Sequence, residues 1–120
     1  MAETEIAVFL VRGVLLVSMP ADPDDPTVAM LQEKVLDEME KREAKGLILD
    51  LSKVETFDSF FARTVTETAK MIALMGGRTV IAGMRPAVAI TATQLGLNLS
   101  IASTALDVDR AILAAQEWRS

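Results

Sequence analysis

The chain has 120 residues, 51% of them apolar, and a formal net charge of −5; that is long enough for one well-filled core and too hydrophobic for disorder. It contains neither cysteine nor histidine, which excludes disulfides, thiolate and imidazole metal sites, cysteine nucleophiles, Ser-His-Asp triads and a histidine general base. The negative charge opposes binding to a nucleic-acid phosphate backbone. Arg12-Gly13 interrupts the N-terminal apolar run, so neither a signal peptide nor a membrane span is expected, and a cytoplasmic location follows.

Ile6 to Val11 and Val14 to Met19 are apolar runs flanking Arg12-Gly13. Two such runs around a two-residue turn containing Gly predict a β-hairpin. The loop "PADPDDP" ends in Asp25-Pro26, which predicts a helix N-cap followed by Pro at the first helical position. Val28, Leu31, Val35 and Met39 then recur at helical spacing; the helix is expected through Lys45, with Gly46 as its stop. Leu47 to Leu51 reads as a buried strand. A second helix is expected from Ser59 to Met75, because Phe61, Val65, Ala69 and Ile72 form one stripe, and Gly76-Gly77 ends it. Arg78 to Gly83 is the next strand. A third helix follows, with Pro86 near its start and Gly96 at its end. Leu99 to Ser103 reads as a short last strand. Thr104-x-x-Asp107 resembles a capping box before a final helix carrying Leu106, Val108 and Ile112. The order is β-β-α-β-α-β-α-β-α. The repeated βα units predict parallel neighbours and the opening hairpin makes the sheet mixed, so the expectation is a single α/β domain with a mixed, mostly parallel sheet and four helices.

The stretch "ETFDSFFART" (Glu55 to Thr64) carries the candidate site. Ser59 and Asp58 are both preferred N-cap residues; Ser59 is alternatively a phosphoacceptor. Phe61 belongs to the core stripe. Phe60 is displaced from it by about 100° and is either a candidate partner contact or packs under the neighbouring loop. Arg63 lies one turn after Ser59, within reach of a phosphate there. Asp50 is either a carboxylate base in a cleft or a structural acceptor for the next loop. "DPDD" (Asp22 to Asp25) lacks the Gly and closing Glu of a calcium loop. "GGR" (Gly76 to Arg78) lacks the Lys-Ser/Thr pair of a phosphate loop. No metal site and no cofactor are expected.

Three stretches resemble the STAS domain family of anti-sigma factor antagonists. "LILDLSKVETFDSFFAR" is similar to its strand, loop and helix start, with Asp58-Ser59 at the phosphorylation position; "GGRTVIAGMRP" is similar to its next strand and turn; "QLGLNLSIASTALDVDRAI" is similar to its closing strand and helix. Within the family, "DSFFAR" most resembles the RsbS type. Ala82 stands before "GMRP" where the RsbR type carries a threonine phosphosite. The resemblance implies a non-enzymatic regulator, a STAS domain over residues 1–120. It implies phosphorylation at Ser59; Asp58, Phe60 and Arg63 beside it are the candidate partner-binding residues. The implied partners are an RsbT-type serine kinase and RsbR-type paralogues, in a homo-oligomer or large hetero-assembly. A simple soluble anti-sigma factor antagonist is the alternative. A small enzyme or ligand carrier using Asp50 or Asp58 is a third reading; it requires a concave pocket with convergent polar groups.

Overall fold

Two consecutive residues with positive φ, Arg12 (53°) and Gly13 (83°), turn the chain back on itself. Their left-handed conformation matches the twist of the strands they join. In the computed structural model, which describes residues 6–97 and 100–118, those strands are β1 (Val8–Val11) and β2 (Val14–Ser18), antiparallel, with Val11 opposite Val14.

Helix α1 (Asp25–Arg42) is capped by Asp24, one residue earlier than expected. Asp24 has the extended backbone of a cap, and its carboxylate accepts the N–H of Thr27 at 2.9 Å. Asp25 and Pro26 therefore sit inside the first turn. The helix stops at Arg42, not at Lys45. Glu43 takes the left-handed conformation (φ 51°), and the next N–H, of Ala44, returns to the Met39 carbonyl. Gly46 has a different task, as the first residue of β3 (Gly46–Asp50). A Cβ there would lie 2.1 Å from the Arg78 carbonyl oxygen and 2.8 Å from the Trp118 ring, so only Gly permits this approach.

Strand β3 pairs parallel with β2, which places Asp50 beside Ser18, and with β4 (Arg78–Ala82), which places it beside Ala82. Strand β5 (Ser103–Ala105) adds in parallel to β4, with Thr104 opposite Ile81. The sheet order is β1-β2-β3-β4-β5. With α2 (Ser59–Leu74), α3 (Pro86–Gln94) and α4 (Val108–Ala115), this is the mixed, mostly parallel α/β domain with four helices that the sequence predicts.

Two details of the C-terminal third differ from expectation. Leu99 lies outside the described residues; the strand itself runs from Ser103 to Ala105, while Ile101 and Ala102 pack against the main core from the preceding loop. The capping box is not formed. Thr104 belongs to the ladder, and Asp107 is itself the cap of α4, its carboxylate accepting the Arg110 N–H at 2.8 Å. Leu106 precedes that helix and is 73% exposed.

The core lies on both sheet faces. Leu15, Val17, Leu47, Leu49 and Ile81 face the α1 stripe (Val28, Leu31, Val35, Met39) and the α2 stripe (Phe61, Val65, Ala69, Ile72), with Val88 and Ala92 of α3. Val14, Ile48, Val80 and Ala82 form the other face, packed with Ala111 and Ala115 of α4 and flanked by Trp118. Among the described residues no helix is long and apolar enough to cross a membrane.

Candidate functional site at the head of helix α2

The carboxyl ends of β2, β3 and β4 support the loop that presents Ser59. Asp50 ends β3, and its carboxylate accepts the Ser52 N–H at 2.9 Å and the Ser18 hydroxyl at 3.3 Å. The chain then continues across the top of the sheet. Leu51 N–H donates to the Ala82 carbonyl at 2.9 Å, and Glu55 N–H donates to the Ala21 carbonyl at 2.7 Å. From the other side, Arg85 Nε donates to the Ser52 carbonyl at 2.9 Å. Its guanidinium also faces the Glu55 carboxylate at 3.8 Å. Val54 and Phe57 are buried, and the Phe57 ring rests on Phe61 with centroids 4.7 Å apart. Residues 51–58 are thus held by backbone bonds to two neighbouring segments and by two apolar anchors.

That support fixes which residue caps α2. Asp58 has an extended backbone, and its carboxylate accepts the Phe61 N–H at 2.9 Å. Ser59 is the first helical residue, and it is exposed. Among the described residues its hydroxyl has no hydrogen-bond partner. Phe60, partly buried, packs against the edge of the main core. Arg63 is exposed, with its guanidinium carbon 5.8 Å from the Phe60 ring centroid. Ser59 and Arg63 line a shallow groove of about 360 Å³ together with Thr66, Glu67, Lys70 and Leu95. The structure therefore brings Asp58, Ser59, Phe60 and Arg63 to one place, and it separates them by role: Asp58 caps, Phe60 braces, and Ser59 presents a free hydroxyl.

Asp50 lies apart, engaged by Ser52 and Ser18 as an acceptor for the loop. A separate concavity of about 390 Å³ is lined mainly by apolar residues including Ile81, Met84, Ala92, Leu97 and Leu106. Neither Asp50 nor Asp58 lines it. Among the described residues no group of three Asp or Glu is placed to hold a metal ion. The supports that sequence reasoning missed are the Ala21 carbonyl, Arg85 and Gly83. Gly83, at φ +73°, passes so close to the loop that a Cβ would meet Ser52 Cβ at 3.0 Å. The sequence signal for Gly83 and Arg85 is the Gly-Met-Arg-Pro turn itself; the Ala21 carbonyl, as a backbone acceptor, carries none.

The five-stranded mixed sheet, with this helix order, displays an exposed serine at the head of its second helix. The STAS domain family model matches residues 6–111, and the chain belongs to that family. It is similar to Moorella thermoacetica RsbS, solved with a serine replaced by glutamate: identity is 30%, the match covers 92% of this chain and 94% of that one, and the TM-score is 0.83. It is also similar to a chain from the molecular architecture of the stressosome, a signal integration and transduction hub, at 29% identity, with 92% and 96% of the two chains covered and a TM-score of 0.77. The RsbT co-antagonist protein RsbRB of Bacillus subtilis (strain 168) is 31% identical over 91 residues, which are 76% of this chain and 33% of that protein. The chain thus spans about a third of the length of that curated relative.

Proposed function

We propose that this protein is a cytoplasmic stressosome scaffold of RsbS type. It holds an RsbT-type serine kinase and releases it when Ser59 is phosphorylated. The observation that carries this reading is the exposed Ser59 hydroxyl, without a hydrogen-bond partner among the described residues, beside Phe60 and Arg63, with the helix cap supplied by Asp58 instead. A serine that closes its own helix would have to give up that bond to be modified; this one does not. In the transfer, Ser59 Oγ forms a bond to the γ-phosphorus of ATP, the bond to the departing ADP breaks, and the hydroxyl proton passes to a base of the kinase. The domain needs only to present the acceptor and catalyses nothing itself. The likeness to RsbS and to the RsbR co-antagonists supports co-assembly with RsbR-type STAS paralogues.

The test is incubation of the purified chain with an RsbT-type kinase and ATP, followed by phosphosite mapping. Modification at Ser59, abolished in Ser59→Ala, is the expected result. Phosphate found elsewhere, or none, would remove the reading. Size-exclusion with an RsbR-type paralogue should give one shared large assembly; separate elution would favour a simple soluble antagonist.

A further inference from the structure

Resting on the reading of Ser59 as the phosphoacceptor, we propose that Arg63 receives the phosphate, and that it does so by leaving the ring of Phe60. Ser59 and Arg63 are four residues apart on α2, the spacing at which helical side chains meet. Both line the same groove. In the unmodified chain Arg63 rests over the Phe60 ring at 5.8 Å, and no carboxylate among the described residues lies within ion-pair distance of it. An exposed cation–π contact is weaker than a charge-assisted, bidentate bond to an oxyanion. A phosphate on Ser59 therefore displaces it.

Competing partners are poorly placed. Glu67 is four residues after Arg63, an order in which the base precedes the acid; helical pairs favour the acid on the N-terminal side, as a phosphate at Ser59 would be. Asp58 has its carboxylate on the Phe61 N–H. Lys70 is eleven residues from Ser59, about 16 Å along the helix axis, too far to take the phosphate in place of Arg63. The modification then makes two changes at once on the partner surface. It neutralises the cation that the unmodified surface offers, and it uncovers the face of Phe60.

The experiment installs phosphoserine at position 59 during protein synthesis, so that no kinase is involved. In the unmodified chain, NMR should show contacts between the Arg63 δ-methylene and the Phe60 ring, and these should be lost in the phosphorylated chain. The phosphorus resonance should titrate at lower pH in the native sequence than in Arg63→Gln, with Arg63→Lys between them. Retained ring contacts together with coincident titration curves would overturn the proposal. That failure would leave Ser59 standing as the modified residue; conversely, a kinase that never modifies Ser59 would remove the functional reading without altering the measured pairing.

Discussion

Asp58 and Ser59 satisfy the same cap preference, and the sequence alone leaves both eligible. The choice is made by tertiary contacts: Phe57 is buried against Phe61, and the loop is pinned at Ala21 and Ser52, which together turn Asp58, not Ser59, into the extended cap. The consequence is measurable. Asp58→Ala should destabilise the domain by about 0.5–2 kcal/mol. Ser59→Ala should change it by no more than about 0.5 kcal/mol. Urea midpoints at constant slope report both, and equal losses would mean that Ser59 shares the cap. Gly83→Ala forces a Cβ towards Ser52 at a left-handed position and should cost more than about 1 kcal/mol. Asp24 gives a pH signature. The hydrogen bonds from the Thr27 hydroxyl and N–H hold its carboxyl below its ordinary value. Its contribution is therefore complete above the unfolded carboxylate's pKa and is lost as pH falls through the lower, folded one. Asp24→Asn keeps a cap but removes the titration, so the acid side of the stability–pH curve should flatten.

At the scale of elements, α2 was legible because one stripe repeats at helical period and because that stripe is what the sheet buries. Strand β5 was not. An apolar run was expected to be the strand, but β5 is a three-residue edge strand with exposed positions, and the apolar Ile101 and Ala102 are used as loop anchors. Hydrophobicity reports burial there, not pairing. The C-terminal end of α1 was misplaced because Gly46 suits a helix stop by type, while close packing on Arg78 and Trp118 is what requires it. The adjacent phenylalanines of α2 turn the helix geometry into a prediction. Phe61 is 1% exposed within the core, and Phe61→Ala should cost about 3–5 kcal/mol. Phe60 packs only at the edge of that core. Phe60→Ala should leave the domain folded, with a smaller loss, and weaken kinase binding instead. Denaturation and kinase affinity measured on both variants separate the two effects; a Phe60→Ala chain that binds the kinase normally would exclude its face from the interface.

For the whole molecule, the question is whether the proposed phosphorylation of Ser59 would act by refolding the domain or by changing its surface. Phe61, Ala62, Val65, Ala69 and Ile72 of α2 hold the helix against the sheet, Asp58 supplies its cap, and the loop before it is bonded on both sides. Nothing in that framework depends on the Ser59 hydroxyl. The phosphorylated chain should therefore keep its circular dichroism and melt within a few degrees of the unmodified one. What changes is the surface, and above all its charge: a phosphate brings about −1.5 to −2 units beside Asp58. A docked kinase would meet repulsion and the cost of desolvating a dianion, and like-charge contacts across an interface cost several kcal/mol. Kinase affinity should fall at least about tenfold on phosphorylation, a change of roughly 1.4 kcal/mol. Ser59→Ala, with no charge, should bind like the unmodified chain and never release. Ser59→Asp supplies one charge and a shorter reach, so it should fall between them. Raising the salt concentration should narrow the spread, because these groups are exposed to solvent. Equal affinity of the phosphorylated and unmodified forms at low ionic strength would remove Ser59 as the switch, and a phosphorylated chain that lost its fold would replace the surface mechanism with an unfolding one.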